Sequence, residues 1–199
     1  MELDISDHEI RLNKELNYLD SLTIDFIKIL DRNGVKYVLV SGYISILFGR
    51  SRSSEDIDII AEKIPKKKFS ALWSALSKNF QCIISDNFQD AYETYLMARS
   101  SLRFSRKGEF IPNIEFKFPK NDLANWVLNN GNTVVLNGNS IKISPIELQI
   151  PYKLYMGTEK DIEDARHLYK LFEGKIDENL FKYFLEKLDK KDMFHKYIV

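Results

Sequence analysis

Apolar residues near the start of the chain follow two spacings, one typical of an amphipathic helix and one typical of a buried strand. Between residues 12 and 30, leucines and a phenylalanine recur at roughly helical spacing, and Asn33-Gly34 predicts the end of this helix. Ser6 and Glu9 have the spacing of a capping box, which predicts that the helix begins at Ser6. The run from Val35 to Ser41 is almost continuously apolar and predicts a buried strand.

Further helices and strands alternate up to residue 143. Strands are predicted at residues 56–61, 80–84, 102–105, 111–118, 133–136 and 140–143, and helices at residues 43–48, 65–77, 89–98 and 122–129. Asn137-Gly138, between the last two strands, is a strong signal for a tight hairpin turn. This part of the chain is therefore expected to form a sheet accompanied by helices.

From Ser144 onward the pattern predicts helices only. Ser144 and Glu147 have the spacing of a second capping box, and Pro151 is expected to kink or break the helix that follows. Two more helices are predicted, one capped by Thr158 and one from about residue 177 to 188.

The predicted layout has two parts. Residues 1–143 are expected to form an α/β core that includes the N-terminal helix, and residues 144–199 a helical part packed on that core. A length of 199 residues with 44% hydrophobic content is sufficient for a core of this size.

Composition limits the functional classes that need to be considered. Lys plus Arg equals Asp plus Glu at 29 each, so the formal net charge is zero and any basic surface must be local. Cys82 is the single cysteine, which rules out an intrachain disulfide and suits a reducing compartment. The N-terminus lacks the apolar region of a signal peptide, and no apolar run approaches membrane-spanning length. A cytoplasmic protein with no membrane partner is therefore expected.

The strand predicted at residues 56–61 carries two carboxylates on one face. Alternate residues of a strand share a face, so Asp56 and Asp58 project together while Ile57 and Ile59 point into the core. Carboxylate oxygens suit Mg²⁺, which commonly takes one or two carboxylates together with phosphate oxygens of a substrate. Taken alone, such a pair is more often a solvated part of an edge strand than a metal site, so its neighbours decide the interpretation.

The residues before this strand favour phosphate binding. Ser41-Gly42 ends the preceding strand, and glycine allows the backbone to approach a ligand closely. Arg52 and Ser54 lie in the polar loop before Asp56, where a guanidinium and a hydroxyl can donate to phosphate oxygens. An ordinary turn and a polar surface loop are the alternative interpretations of these two segments.

Glu115 is a third candidate carboxylate. In the strand predicted at residues 111–118, Ile114 and Phe116 define the buried face, and Glu115 projects from the opposite face. If this strand lies beside the strand of Asp56, Glu115 completes a three-carboxylate site that can bind two metal ions. The alternative is a cross-strand ion pair between Glu115 and a lysine or arginine.

The stretch from Val38 to Ile60 resembles the core of the nucleotidyltransferase (DNA polymerase beta-like) superfamily. The resemblance rests on Ser41-Gly42 after an apolar strand and on Asp56 and Asp58, with thirteen residues between Gly42 and Asp56. It implies an α+β fold, in which a mixed β-sheet is flanked by helices and a helical part follows at the C-terminus.

The resemblance also implies roles for individual residues. The implied metal ligands and catalytic residues are Asp56, Asp58 and Glu115, which would hold one or two Mg²⁺ ions, with Glu115 also a candidate general base. The implied contacts to the nucleoside triphosphate in this block are Ser41, Gly42, Arg52 and Ser54. Ser41 stands where the superfamily more commonly has glycine, and Glu115 where it more commonly has aspartate.

A second block resembles the minimal prokaryotic branch of this superfamily, which includes AbiEii-like nucleotidyltransferases. Lys153 lies in one predicted helix, and Asp161 and Asp164 lie in the next. The resemblance implies that Lys153 approaches the triphosphate, while the two acids lie near the pocket or attach the helical part to the core. A surface lysine and acids favoured at a helix start are the ordinary alternatives.

The activity that the resemblance implies is Mg²⁺-dependent transfer of a nucleoside monophosphate from a nucleoside triphosphate to an acceptor hydroxyl. The acceptor can be RNA, a protein or a small molecule, and the branch includes toxins, so an antitoxin partner or self-association is a further expectation. The alternative is a non-catalytic nucleotidyltransferase-like protein that binds nucleotide or a partner, an interpretation motivated by Ser41 and Glu115. A purely structural domain is the third hypothesis.

Overall fold

A computed structural model describes residues 2–6 and 9–199, which form a mixed β-sheet packed with helices. The strands are β1 (Glu2–Ile5), β2 (Ile10–Asn13), β3 (Tyr37–Val40), β4 (Asp56–Ala61), β5 (Phe80–Cys82), β6 (Leu102–Arg106), β7 (Asn113–Lys117), β8 (Asn132–Leu136) and β9 (Asn139–Ile143). The helices are α1 (Tyr18–Arg32), α2 (Gly42–Leu47), α3 (Lys66–Leu76), α4 (Phe88–Asp90), α5 (Asp122–Asn129), α6 (Ile146–Met156), α7 (Glu159–Phe172), α8 (Glu178–Lys187) and α9 (Lys191–Tyr197). A π-helical segment, Ala91–Leu96, follows α4.

The strands form one sheet in the order β1-β2-β8-β9-β3-β4-β7-β6-β5. At its centre, β4 runs antiparallel to β3 and parallel to β7. The sheet is therefore mixed, and the predicted α+β fold is confirmed. None of the described helices combines the length and the apolar character needed to cross a membrane.

Side chains on the central strands alternate between the two faces of the sheet. On β4, Ile57 and Ile59 are fully buried in the larger core, to which α1 and α3 also contribute. On the other face, Ile60 packs with Leu148 of α6 and Phe184 of α8 in a smaller core. Asp58 lies two residues before Ile60, so its carboxylate points into the layer between the sheet and the C-terminal helices. Division of the chain into domains at residue 143 stays a prediction.

The predicted start of the first helix is wrong. The helix begins at Tyr18 rather than at Ser6, and Asn17 and Asp20 form its capping box. Ser6 and Glu9 instead hydrogen-bond to each other after β1. The two residues between them, which belonged to the predicted box, lie outside the part of the chain that the structure describes.

Some residues that were predicted to lie in the first turns of that helix form the strand β2 instead. Their burial alternates with a period of two. Ile10 and Leu12 are buried, whereas Arg11 and Asn13 are exposed. This pattern suits a strand with one buried face, and β2 pairs in parallel with β8 while β1 pairs antiparallel with β2. The hairpin of β1 and β2 thus extends the sheet at one edge.

Two further differences lie in the C-terminal helices. α6 continues through Pro151 to Met156, so the proline does not break the helix, and the predicted kink stays a prediction. Proline removes one backbone hydrogen bond, but Ile150 and Leu154 beside it are fully buried, so their packing offsets that loss. α9 was not predicted; its Phe194 ring packs against aromatic side chains of α7 and α8.

Replacement of Asn17 by alanine is expected to lower the free energy of unfolding by about 1 kcal/mol, because its side chain accepts the backbone N–H of Asp20. Ser6→Ala is the control: its hydroxyl caps no described helix, so a change within about 0.5 kcal/mol is expected. Urea unfolding followed by circular dichroism measures both values. A loss in Ser6→Ala as large as in Asn17→Ala would contradict a helix that begins at Tyr18.

Candidate functional site

The three candidate carboxylates lie on two neighbouring strands at the centre of the sheet. β4 and β7 are parallel, and their register sets Asp58 opposite Glu115 and Asp56 opposite Asn113. Because directly paired residues point to the same face, all four side chains project together. The structure thus brings Glu115 beside the two aspartates, while their roles in metal binding and catalysis stay predictions.

Lys117 of β7 connects two of these carboxylates. Its Nζ atom lies 2.7 Å from Asp58 Oδ1 and 2.9 Å from Glu115 Oε1. Burial lowers the pKa of Lys117, but the two carboxylates outweigh burial and raise it. Burial raises the pKa of Glu115, and the hydrogen bond and charge of Lys117 outweigh that effect and lower it. Lys117 and Glu115 are therefore both ionised at neutral pH.

Asp56 has two hydrogen-bond donors of its own. Its Oδ1 atom accepts from Arg103 Nη1 at 3.1 Å and from Asn113 Nδ2 at 2.8 Å. Arg103 also approaches Glu115, with Nη2 3.5 Å from Oε2. Asn113 is buried, and its Oδ1 atom has no hydrogen-bond partner among the described residues. Each of the three candidate metal ligands therefore accepts a hydrogen bond from at least one side chain of the protein.

Sequence reasoning missed Lys117, Arg103 and Asn113 as members of the site. Alternation along β7 already put Asn113 and Lys117 on the face of Glu115, so a signal for both was present. Arg103 lies directly opposite Glu115 on β6, a pairing that the sequence does not specify. The cross-strand ion pair that was the alternative interpretation of Glu115 is thus present. Glu115 also lies beside Asp58, as the metal-site interpretation requires.

Ser41 precedes α2 in a backbone conformation that glycine favours. Its φ is 67° and its ψ is −140°, a region that a residue with a Cβ atom enters only with strain. Its carbonyl oxygen accepts a hydrogen bond from Gln149 Nε2 of α6 at 2.7 Å. The turn therefore keeps a glycine-like shape although serine occupies it.

Gly42 leaves room for the close approach of the Arg52 guanidinium. A Cβ atom at position 42 would lie 2.5 Å from Arg52 Nη2, well inside van der Waals contact. Arg52 Nη1 lies 2.6 Å from Asp164 Oδ2, so this guanidinium is already engaged. Ser54 donates its hydroxyl to the backbone carbonyl of Asp56 at 2.9 Å and shapes the loop before β4.

Asp164 of α7 is fully buried and forms the centre of a second charged cluster. It pairs with Arg50 and Arg52 from the loop before β4, and its Oδ2 atom lies 2.9 Å from Lys153 Nζ of α6. Lys153 Nζ also lies 2.7 Å from Asp161 Oδ1. Burial raises the pKa of Asp161, but the hydrogen bond from Lys153 and further donors outweigh burial and lower it. The cluster joins the loop, α6 and α7.

A cleft of about 390 Å³ lies between the sheet and helices α5 and α6. It touches both charged clusters, and its polar wall includes Ser41, Asp58, Lys117, Lys153 and Asp161. Its apolar wall is formed mainly by Leu123, Val127, Leu148, Tyr152 and Met156. The remaining predicted site residues lie outside its lining: Gly42, Arg52, Ser54, Asp56, Glu115 and Asp164.

The carboxylates supply oxygen donors, which suit a hard divalent cation such as Mg²⁺. In their observed arrangement, however, no group of three or more His, Cys, Asp or Glu side chains within residues 2–6 and 9–199 is placed to hold a metal ion. The ammonium group of Lys117 lies at hydrogen-bond distance from both Asp58 and Glu115. A metal ion therefore fits these two carboxylates only once Lys117 has moved away.

The chain has the fold of nucleotidyltransferase-like proteins. One similar solved structure is an antigenic nucleotidyltransferase-like protein from Paracoccidioides brasiliensis, with a TM-score of 0.54, 16% identity, and coverage of 92% of this chain and 94% of that one. Another is the antibiotic-resistance factor ANT(2'')-Ia, with a TM-score of 0.51, 12% identity, and coverage of 89% of this chain and 98% of that one. No family model and no curated protein matches the chain. The predicted nucleotidyltransferase-like fold is confirmed, while membership of the superfamily and of its AbiEii-like branch stays a prediction.

Asp164→Asn is expected to lower the free energy of unfolding by about 3 kcal/mol, because three largely buried cations lose their shared anion. Glu163→Gln is the matched control: Glu163 is half exposed and lies 3.3 Å from Arg50, so a loss below about 1 kcal/mol is expected. Chemical denaturation of both variants gives the comparison. Equal losses would mean that Asp164 does not organise the cluster.

Ser41→Gly is expected to raise the free energy of unfolding by about 1 kcal/mol. Relief of backbone strain contributes about 1–3 kcal/mol, and the added freedom of glycine in the unfolded chain costs about 0.5–1 kcal/mol. Ser41→Ala keeps the Cβ atom and the strain, so no gain is expected from it. Thermal and urea unfolding of both variants provide the measurement, and identical behaviour would exclude strain at position 41.

Proposed function

We propose that the protein is a Mg²⁺-dependent nucleotidyltransferase that transfers a nucleoside monophosphate from a nucleoside triphosphate to an acceptor hydroxyl. The observation that carries this proposal is the cleft, whose wall contains Ser41, Asp58 and Lys153 together. Its volume lies within the range of small-ligand sites, about 300–1,000 Å³. An apolar wall suits a nucleobase, lysines suit phosphates, and the nucleotidyltransferase-like fold supports the same activity.

Lys153 is the proposed phosphate-binding residue of the cleft. Its side chain is 4% exposed, and Asp161 and Asp164 hold its ammonium group in place. A fixed, desolvated ammonium attracts phosphate more strongly than a solvated one. The two acids repel phosphate, so we assign them the positioning of Lys153 rather than contact with the nucleotide. Arg52 has the same indirect role, because it does not line the cleft and its guanidinium is bound to Asp164.

Asp56 and Asp58 are the proposed ligands of Mg²⁺, with Glu115 as a third ligand. The ion would neutralise phosphate charge and acidify the acceptor hydroxyl. In the transfer, the acceptor oxygen bonds to the α-phosphorus, the bond from that phosphorus to the bridging oxygen breaks, and pyrophosphate leaves with the electron pair. The hydroxyl proton passes to a basic group or to water. The ion pair with Lys117 lowers the pKa of Glu115, so Glu115 suits the role of ligand better than that of general base.

A second candidate is a non-catalytic protein that binds nucleotide in the same cleft. The ion pairs of Lys117 and Arg103 favour it, because these two cations already occupy oxygen atoms of the carboxylates that the metal would need. Both candidates bind a nucleotide, but only the first transfers a nucleoside monophosphate from it. The acceptor (RNA, protein or small molecule), the AbiEii-like branch, a toxin role with an antitoxin partner, self-association and a cytoplasmic location stay predictions.

Label transfer from α-labelled nucleoside triphosphates to RNA and to a protein extract tests the proposal. With Mg²⁺ present, transfer is expected for the wild type, and Asp56→Asn and Asp58→Asn are each expected to reduce it by at least about a hundredfold. Asp25→Asn is the control, because Asp25 forms an ion pair with Arg106 on the surface and lines no part of the cleft.

Thermal stabilisation by nucleoside triphosphates separates the two candidates. Stabilisation without label transfer to either acceptor pool would favour the non-catalytic protein. If the nucleotides neither stabilise the protein nor transfer label, both candidates are rejected and a purely structural domain is left.

A further inference from the structure

Lys117 stands where a cation shared by Asp58 and Glu115 would lie. Its Nζ atom contacts one oxygen of each carboxylate, at 2.7 Å and 2.9 Å. The Lys117 side chain is 21% exposed and also lines the cleft, so it belongs to the carboxylate cluster and to the candidate nucleotide site at once. Arg103 differs from it, because its side chain is 40% exposed and approaches from the neighbouring strand, where it can turn toward solvent.

A divalent cation and Lys117 compete for the same two oxygen atoms. Mg²⁺ binds oxygen at about 2.0–2.1 Å and requires a nearly octahedral set of ligands. An ammonium group at hydrogen-bond distance from the same oxygens both obstructs and repels the ion. Lys117 must therefore leave Asp58 and Glu115 before a metal ion can bind them.

The cleft offers Lys117 a new partner once a nucleotide is present. Lys153, the buried lysine of the wall, keeps its ion pairs with Asp161 and Asp164 whether or not a phosphate binds to it. Lys117 would lose both of its carboxylates to the metal ion, and the phosphates of a nucleotide are the anions then within the same cleft. Its flexible four-carbon stem permits such a change of partner.

We infer that Lys117 is an exchangeable counter-ion. It holds Asp58 and Glu115 in the protein without ligand, and it transfers to the nucleotide phosphates when a divalent cation takes its place. The transfer to phosphate rests on the proposed function, whereas the competition with the cation rests on the two ion pairs alone. Metal ion and nucleotide are then expected to bind cooperatively, and the metal ion alone only weakly.

Binding of Mn²⁺ alone, measured by electron paramagnetic resonance and calorimetry, tests the competition. Lys117→Met removes the charge and keeps the length of the side chain, and it is expected to bind Mn²⁺ at least about tenfold more tightly than the wild type. Lys120→Met is the matched control, because Lys120 lines the same cleft but is exposed to solvent, and its Mn²⁺ affinity is expected to equal that of the wild type. Equal Mn²⁺ affinities of Lys117→Met and the wild type would overturn the inference.

A second pair of variants guards against misfolding of Lys117→Met. Glu115→Gln combined with Lys117→Met removes one charge of each sign, and it is compared with Glu115→Gln alone. The inference requires tighter Mn²⁺ binding by the double variant, and equal affinities would overturn it. Circular dichroism confirms that each variant compared is folded.

Nucleotide binding measured on the same proteins tests the second half of the inference. At saturating Mn²⁺, Lys117→Met is expected to bind a nucleoside triphosphate at least about tenfold more weakly than the wild type, because one phosphate contact is lost. Unchanged affinity would overturn the transfer of Lys117 to phosphate. Tighter Mn²⁺ binding by Lys117→Met with no nucleotide response in either protein would reject the proposed function and leave the competition intact.

Discussion

The in-register parallel pairing of β4 with β7 is the constraint on which the candidate site depends. It sets Asp58 opposite Glu115 and Asp56 opposite Asn113, so that these polar groups share one face and Ile57, Ile59 and Ile114 the other. A shift of one residue would turn Glu115 into the core and Ile114 toward the cleft. Burial of the isoleucines on β4 and β7 therefore fixes the register, and the register fixes the distances between the charged groups.

A second constraint attaches the helices to this sheet. Asp164 is buried with three cations that come from two other segments, so α7, α6 and the loop before β4 are held at one point. Removing a single partner from such a cluster leaves a buried charge uncompensated, which explains why all of its members have to be present together. The cluster also fixes Lys153 at the wall of the cleft, where a freely moving lysine would lose more entropy on binding phosphate.

Sequence patterns predicted the parts of the site that depend on local periodicity. The two-residue alternation was enough to put Asp56 and Asp58 on one face and Glu115 on the outward face of its strand. The interaction of Lys117 with Asp58 was beyond such reasoning, because it depends on which strands pair and in which register. The same limit explains the N-terminal error: leucines near residue 12 fit a helical spacing, and only the edge of β8, far along the chain, makes β2 the better structure.

Under the proposed function, charge balance links the fold to the way in which the site would bind a metal ion and a nucleotide. Lys117 and Arg103 together pair with all three carboxylates of β4 and β7, so each of these carboxylates has a cationic partner in a partly desolvated layer. A metal ion that arrives alone must displace a resident cation into the cleft, where that cation has no anion of its own. A nucleotide that arrives alone brings phosphates toward Asp58, which repels them. If both arrive together, each displaced charge finds a partner, so under the proposed function the ion pairs of Lys117 would favour joint binding of metal ion and nucleotide.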